Sequence, residues 1–120
     1  MSIALFALAA LAQAPAGTSV DVAYEALAAG DDAAAVAQLE PNFRASDPAA
    51  LINLGVAYAR QGNTARARAM FERVIGASDR YDLETAAGAW VDSRALAFKA
   101  LAALDRGALA PTTTTRTALR

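Results

Sequence analysis

Asp47-Pro48-Ala49-Ala50-Leu51-Ile52-Asn53-Leu54-Gly55-Val56-Ala57-Tyr58-Ala59-Arg60, followed by Gln61-Gly62-Asn63-Thr64, is the stretch that decides the fold. Asp47 is a good N-cap, and Pro48 sits at the first helical position, where a missing N–H costs nothing. Leu51, Leu54 and Tyr58 recur at helical spacing as one apolar stripe, and Ile52, Val56 and Ala59 form a second. A helix apolar on two sides must pack against neighbours on both. Gly62 stops it, and Asn63 or Thr64 starts a second helix that presents Ala67, Met70, Phe71 and Val74 on one face and ends at Gly76. The prediction is a helical hairpin closed by a turn of about two or three residues.

Composition extends the same reading to the whole chain. Of 120 residues, 35 are Ala, and Arg supplies ten of the eleven basic side chains. Alanine is the strongest intrinsic helix former because ordering it costs no side-chain entropy. β-branched residues are sparse outside the threonines near the C-terminus, so the expected class is all-α, with little material for strands.

Here the residues resemble a known family. Leu51-Ile-Asn-Leu54-Gly55-Val-Ala-Tyr58, then Ala67-Arg-Ala-Met-Phe71, is similar to a tetratricopeptide repeat, whose pattern is W-x2-L-G-x2-Y, then A-x3-F, then P. Leu51 stands for the first aromatic, and Asp79 stands where the pattern has Pro. Gly55 and Ala67 have a physical reason, because the two helices cross closely there. A shift of 32 residues places Ser19, Val22, Ala23, Ala26, Gly30, Asp31, Ala35 and Leu39 on Leu51, Leu54, Gly55, Tyr58, Gly62, Asn63, Ala67 and Phe71. Only the Gly-Asp turn and the small Ala match strongly. The resemblance covers about residues 19–76 and implies antiparallel hairpins, about two repeats.

Outside the repeats, three segments differ in character. Ile3–Ala12 is an uncharged apolar run, too short to span a bilayer, and small residues follow it in A-x-A spacing. Residues 1–16 therefore read as a signal peptide cleaved after Ala16, or after Ala14, although no Lys or Arg precedes the run. The alternative keeps this segment as a helix in the core. Thr18 and Asp21 offer a capping box for the first helix, and Asn42–Ser46 reads as a connection. Beyond Ser78–Leu83, Thr85 is expected to cap one long helix to about Asp105, with Ala87, Trp90, Val91, Phe98 and Leu101 on its apolar face. This helix would close the repeat stack over residues 18–106, as terminal elements of solenoids must. Arg94 lies within that face and needs an acid partner or a route to solvent. Residues 107–120 read as a disordered tail.

No catalytic constellation is present in the sequence. Without His or Cys there is no Ser-His-Asp or Cys-His machinery, no imidazole or thiolate metal site and no disulfide. There is no phosphate-binding glycine loop and no EF-hand spacing. The acid pairs Asp31/Asp32 and Asp82/Glu84 sit at expected helix entries, where carboxylates favour the positive terminus. A net charge of -1 argues against general nucleic-acid binding. Arg60, Arg66, Arg68 and Arg73, with Glu72 among them, read as a solvated outer face rather than a phosphate-binding one. No enzyme, cofactor or metal is expected, and no stable membrane insertion of the mature chain.

What remains is the surface that the resemblance implies. In tetratricopeptide-repeat proteins the first helix of each repeat lines a groove that holds a partner's peptide or helix. Carried onto this chain, the groove positions are Ala49, Ile52, Val56, Ala59 and Arg60, with Asn53 at the edge. Ile52 and Val56 occupy positions where some members use Lys and Asn to grip a terminal carboxylate, so that clamp is not expected. The expectation is a non-enzymatic adaptor in the bacterial periplasm or cell envelope, binding a protein or peptide. The alternative is a cytosolic helical-bundle regulator that keeps its N-terminal segment.

Overall fold

The computed structural model describes residues 23–41, 47–85 and 87–110. Helix takes 63% of them. The order is α1 (Tyr24–Ala28), α2 (Asp32–Leu39), α3 (Pro48–Arg60), α4 (Thr64–Gly76), β1 (Asp82–Glu84), β2 (Trp90–Asp92) and α5 (Ser93–Asp105). The protein is all-α in the coarse sense, with one small antiparallel β-hairpin. The proposed leader, the Thr18–Asp21 capping box, the Asn42–Ser46 connection and the tail beyond 110 lie outside the described residues.

α3 is the centre of the fold. Asp47 caps it, accepting from the N–H groups of Ala49 and Ala50 at 3.1 and 3.3 Å. Every residue from Pro48 to Ala59 is buried. Only a helix packed on several sides can be enclosed in this way, and α3 packs on α1 and α2, on α4 and on α5. α4, by contrast, buries only Ala67, Phe71 and Val74, one stripe at helical spacing. Its exposed face carries the charged side chains.

The two helical turns are built alike. Gly30 and Gly62 both have positive φ, at 82° and 85°, which a Cβ would disfavour. At the first turn, Gly30 N–H donates to Leu27 O and Asp31 N–H to Ala26 O; at the second, Gly62 donates to Ala59 O and Asn63 to Tyr58 O. This paired pattern closes a helix C-terminus with a left-handed residue. Asp31 and Asn63 then cap the following helices, accepting from Ala34 N–H and Arg66 N–H. Each partner in the first turn maps onto its counterpart in the second by the same 32 residues.

The expected long helix from Thr85 is replaced by a β-hairpin and a shorter helix. Asp82, Leu83 and Glu84 pair with Asp92, Val91 and Trp90. Gly88, at φ 86°, turns the chain, with Gly88 N–H donating to Thr85 O and Thr85 N–H to Ala89 O. Leu83 and Thr85 point inward and are buried, whereas Trp90 is 58% exposed. The physical reason is local. A glycine in mid-helix costs about 1 kcal/mol relative to Ala, and Trp90-Val91 suit a pleated strand. Asp92 then caps α5, accepting from Ala95 N–H at 3.0 Å.

α5 packs along α4 and touches α3. Leu96, Ala97, Ala100, Ala103 and Leu104 are buried, while Phe98 is 54% exposed. Trp90 and Phe98, expected in one apolar face, are therefore both outside the core. Gly107 closes α5 with the same turn pattern as Gly30 and Gly62, and Leu109 beyond it is buried. The packed structure thus runs past residue 106, where the tail was expected to begin.

Candidate functional site

The expected groove positions lie inside the fold. Ala49, Ile52, Asn53 and Val56 are wholly enclosed, and Ala59 is nearly so. Arg60 continues the Ile52–Val56 stripe by one more helical turn, and it marks what covers that stripe. Its Nη2 donates to Leu27 O at 3.0 Å, and its Nε lies 2.9 Å from Asp32 Oδ1. Leu27 and Asp32 flank the turn between α1 and α2. The end of the stripe that carries Arg60 is therefore occupied by the first helical hairpin, and the six positions are not a free surface in this structure.

The Arg60–Asp32 pair is close but poorly aligned. Asp32 Oδ1 and Arg60 Nη1 are buried without a hydrogen bond of good geometry. Burial pushes the Asp32 carboxyl above its ordinary value, and the Arg60 charge only partly opposes this. A second junction also joins the hairpins. Tyr58 hydroxyl donates to Glu40 at the end of α2, and the Arg66 guanidinium stands 5.7 Å from the Tyr58 ring centroid. Burial first, and the Glu40 hydrogen bond second, push the Tyr58 phenol upward.

The residues that match the repeat pattern converge on the core. Leu51, Leu54, Tyr58, Ala67 and Phe71 are all buried, and Gly62 makes the turn. Gly55 sits directly against the Phe71 ring. Of the arginines read as a solvated face, Arg66 faces Glu40 at 3.7 Å and Arg68 binds Asp105 on α5 at 2.5 Å. Arg94, half-buried, donates to Ala77 O at 2.6 Å, at the carboxyl end of α4, which favours a cation there.

The exposed apolar side chains lie elsewhere. Three large apolar side chains are exposed among the described residues: Tyr81, Trp90 and Phe98. Tyr81 directly precedes β1, Trp90 opens β2 and Phe98 lies in α5. The hairpin is fastened at its base, where Ser93 N–H donates to Tyr81 O at 2.7 Å and Tyr81 N–H to Ser93 Oγ at 3.0 Å. Arg80 grips Asp92 through two hydrogen bonds of 3.0 and 2.8 Å. That pair and the cap to Ala95 hold the Asp92 carboxyl down to about 2.

Helical periodicity missed this surface because Trp90, Val91, Phe98 and Leu101 satisfy it by coincidence. Two signals point the other way: Gly88 in mid-segment, and the polar–apolar alternation of Asp82-Leu83-Glu84. Among the described residues, no three acidic side chains gather as a metal site, and no helix is long and apolar enough to cross a membrane. Compared with family models, curated proteins and solved structures, the chain finds no match.

Proposed function

We propose that this chain is a non-enzymatic protein-interaction module of tetratricopeptide type, with two helical hairpins and α5 closing the stack. The observation that carries the reading is the exposure of Tyr81, Trp90 and Phe98 within residues 81–98, while every residue of α3 from Pro48 to Ala59 is buried. Large exposed aromatics are favourable points for a partner to cover, since burial removes their apolar surface from water. The 32-residue correspondence of the two turns supports the repeat reading. The partner surface in this proposal is the β-hairpin and the outer face of α5, not the Ile52–Val56 stripe.

Co-purification from the native host tests the reading. A partner retained by the wild-type chain should be lost from a Trp90→Ser, Phe98→Ser double variant that keeps its helical circular dichroism. Equal retention by both proteins overturns the assignment of the surface.

Export belongs to the same proposal. It rests on the Ile3–Ala12 run and the A-x-A spacing after it, and it places the module in the periplasm or cell envelope. Mass spectrometry of the protein from its host should find Gly17, or Pro15, at the N-terminus. An intact chain beginning at Met1 in the cytosol overturns it.

A further inference from the structure

The outward face of the β-hairpin has a defined chemistry. Side chains alternate along a strand, so Leu83 and Val91 face the core while Asp82, Glu84, Trp90 and Asp92 share the opposite face. The ladder hydrogen bonds fix which pairs stand closest. Thr85 bonds Ala89 and Tyr81 bonds Ser93, so in an alternating ladder Glu84–Trp90 and Asp82–Asp92 are the non-hydrogen-bonded pairs. Their Cα atoms stand about 4.5 Å apart, the spacing at which cross-strand side chains meet most closely. Glu84 is thus directly beside the indole, and Asp82 lies on the diagonal, about 7 Å away and within reach of a long ligand side chain.

The charges on this face do not balance. Arg80 is committed to Asp92, and Asp92 also caps α5. Asp82 and Glu84 have no ion-pair partner among the described residues. The result is a solvent-exposed indole flanked by two uncompensated carboxylates. An indole face attracts cations through its quadrupole, and a guanidinium can stack on it while its N–H groups reach carboxylates. We propose that this face binds an arginine side chain of a basic partner segment, stacked on Trp90 and paired with Glu84 and Asp82. The proposal deepens the interaction-module reading and rests on it: it states the chemistry of the partner.

Trp90 is the only tryptophan in the chain, so its emission reports on this face alone. The probe is the peptide acetyl-Gly-Arg-Gly-Arg-Gly-amide, titrated into the full chain. Expected is a change in emission with Kd on the order of 10 mM, since one exposed cation–π contact and two exposed ion pairs are together weak. Raising NaCl from about 20 to about 300 mM should weaken it about fivefold, as screened charges require. The Asp82→Asn, Glu84→Gln double variant should bind about tenfold more weakly with an unchanged melting temperature, because neither side chain supports the fold. Trp90→Leu should lose binding of the fluorescein-labelled peptide measured by anisotropy.

No emission change by about 50 mM peptide, roughly fivefold above the expected Kd, overturns the proposal. Equal binding by the citrulline analogue, or by the double variant, overturns it too. These failures are distinct from failure of the module reading. If host-partner retention still depends on Trp90 and Phe98, the interaction surface stands and only the cationic ligand falls.

Discussion

Gly55 of α3 and Phe71 of α4 are packed without room for a side chain between them. A Cβ built on Gly55 falls 2.5 Å from Phe71 Cε1 and 2.9 Å from Cδ1 and Cζ. Phe71 is fully buried, so the ring has nowhere to retreat. Gly55→Ala should therefore destabilise the fold by about 1–3 kcal/mol, even though alanine is the better helix former. Gly76, also helical, has nothing within 4 Å, and Gly76→Ala should be neutral or stabilising by up to about 1 kcal/mol. Urea denaturation of the two variants should give opposite signs. A shared sign would refute the crossing geometry.

Ile52 and Phe98 provide a second contrast, between the expected groove and the observed surface. Ile52 is wholly enclosed and Phe98 is 54% exposed. Ile52→Asp should bury an unpaired carboxylate and abolish the cooperative thermal transition. Phe98→Asp should shift stability by no more than about 1 kcal/mol. Circular dichroism melts of both chains check the pair, and a folded Ile52→Asp protein would reopen the groove.

Leu83 and Trp90 sit on opposite faces of the hairpin. Leu83→Ala removes a fully buried side chain and should cost about 2–5 kcal/mol. Trp90→Ala should cost less than about 1 kcal/mol, because the indole is mostly in water already. Denaturant midpoints at unchanged m-value decide this, and a larger loss at Trp90 would place the indole in the core.

Arg60 and Asp32 test the buried junction between the hairpins. Their side chains are only 16% and 19% exposed, and Arg60 also holds the Leu27 carbonyl. Arg60→Ala leaves Asp32 without its countercharge and should cost about 2–4 kcal/mol near neutral pH. The folded carboxyl already titrates above its unfolded value, so the folded state binds its proton more readily. Stability from this group therefore rises as pH falls through the folded value. Mild acid should rescue part of the Arg60→Ala loss, as read by melting temperature against pH.

Asp92 has the opposite sign. Its carboxyl is held at about 2 by Arg80 and the α5 cap, below the ordinary 3.8. Its contribution is present above the ordinary value and lost as pH falls toward about 2. Asp92→Asn keeps a capping side chain but removes the charge, so it should flatten the acid limb of the stability curve. An acid limb unchanged between about pH 4 and about pH 2 would show that this pair contributes nothing.

The sequence by itself determined the helical class, the Asp47 cap, the glycine turns at 30 and 62, and the two apolar stripes of α3. Each of these depends on residues within one or two turns of one another, so propensity, capping and period speak with one voice. Tertiary structure alone decided what covers the Ile52–Val56–Arg60 stripe. A two-sided apolar helix requires neighbours without specifying which, and here the α1–α2 hairpin meets Arg60 through Leu27 and Asp32. It also decided the fate of residues 82–92. Helical and pleated patterns compete there within a few residues. The balance tips when Gly88 turns the chain and the Leu83 side can bury itself against the core, leaving Trp90 in water.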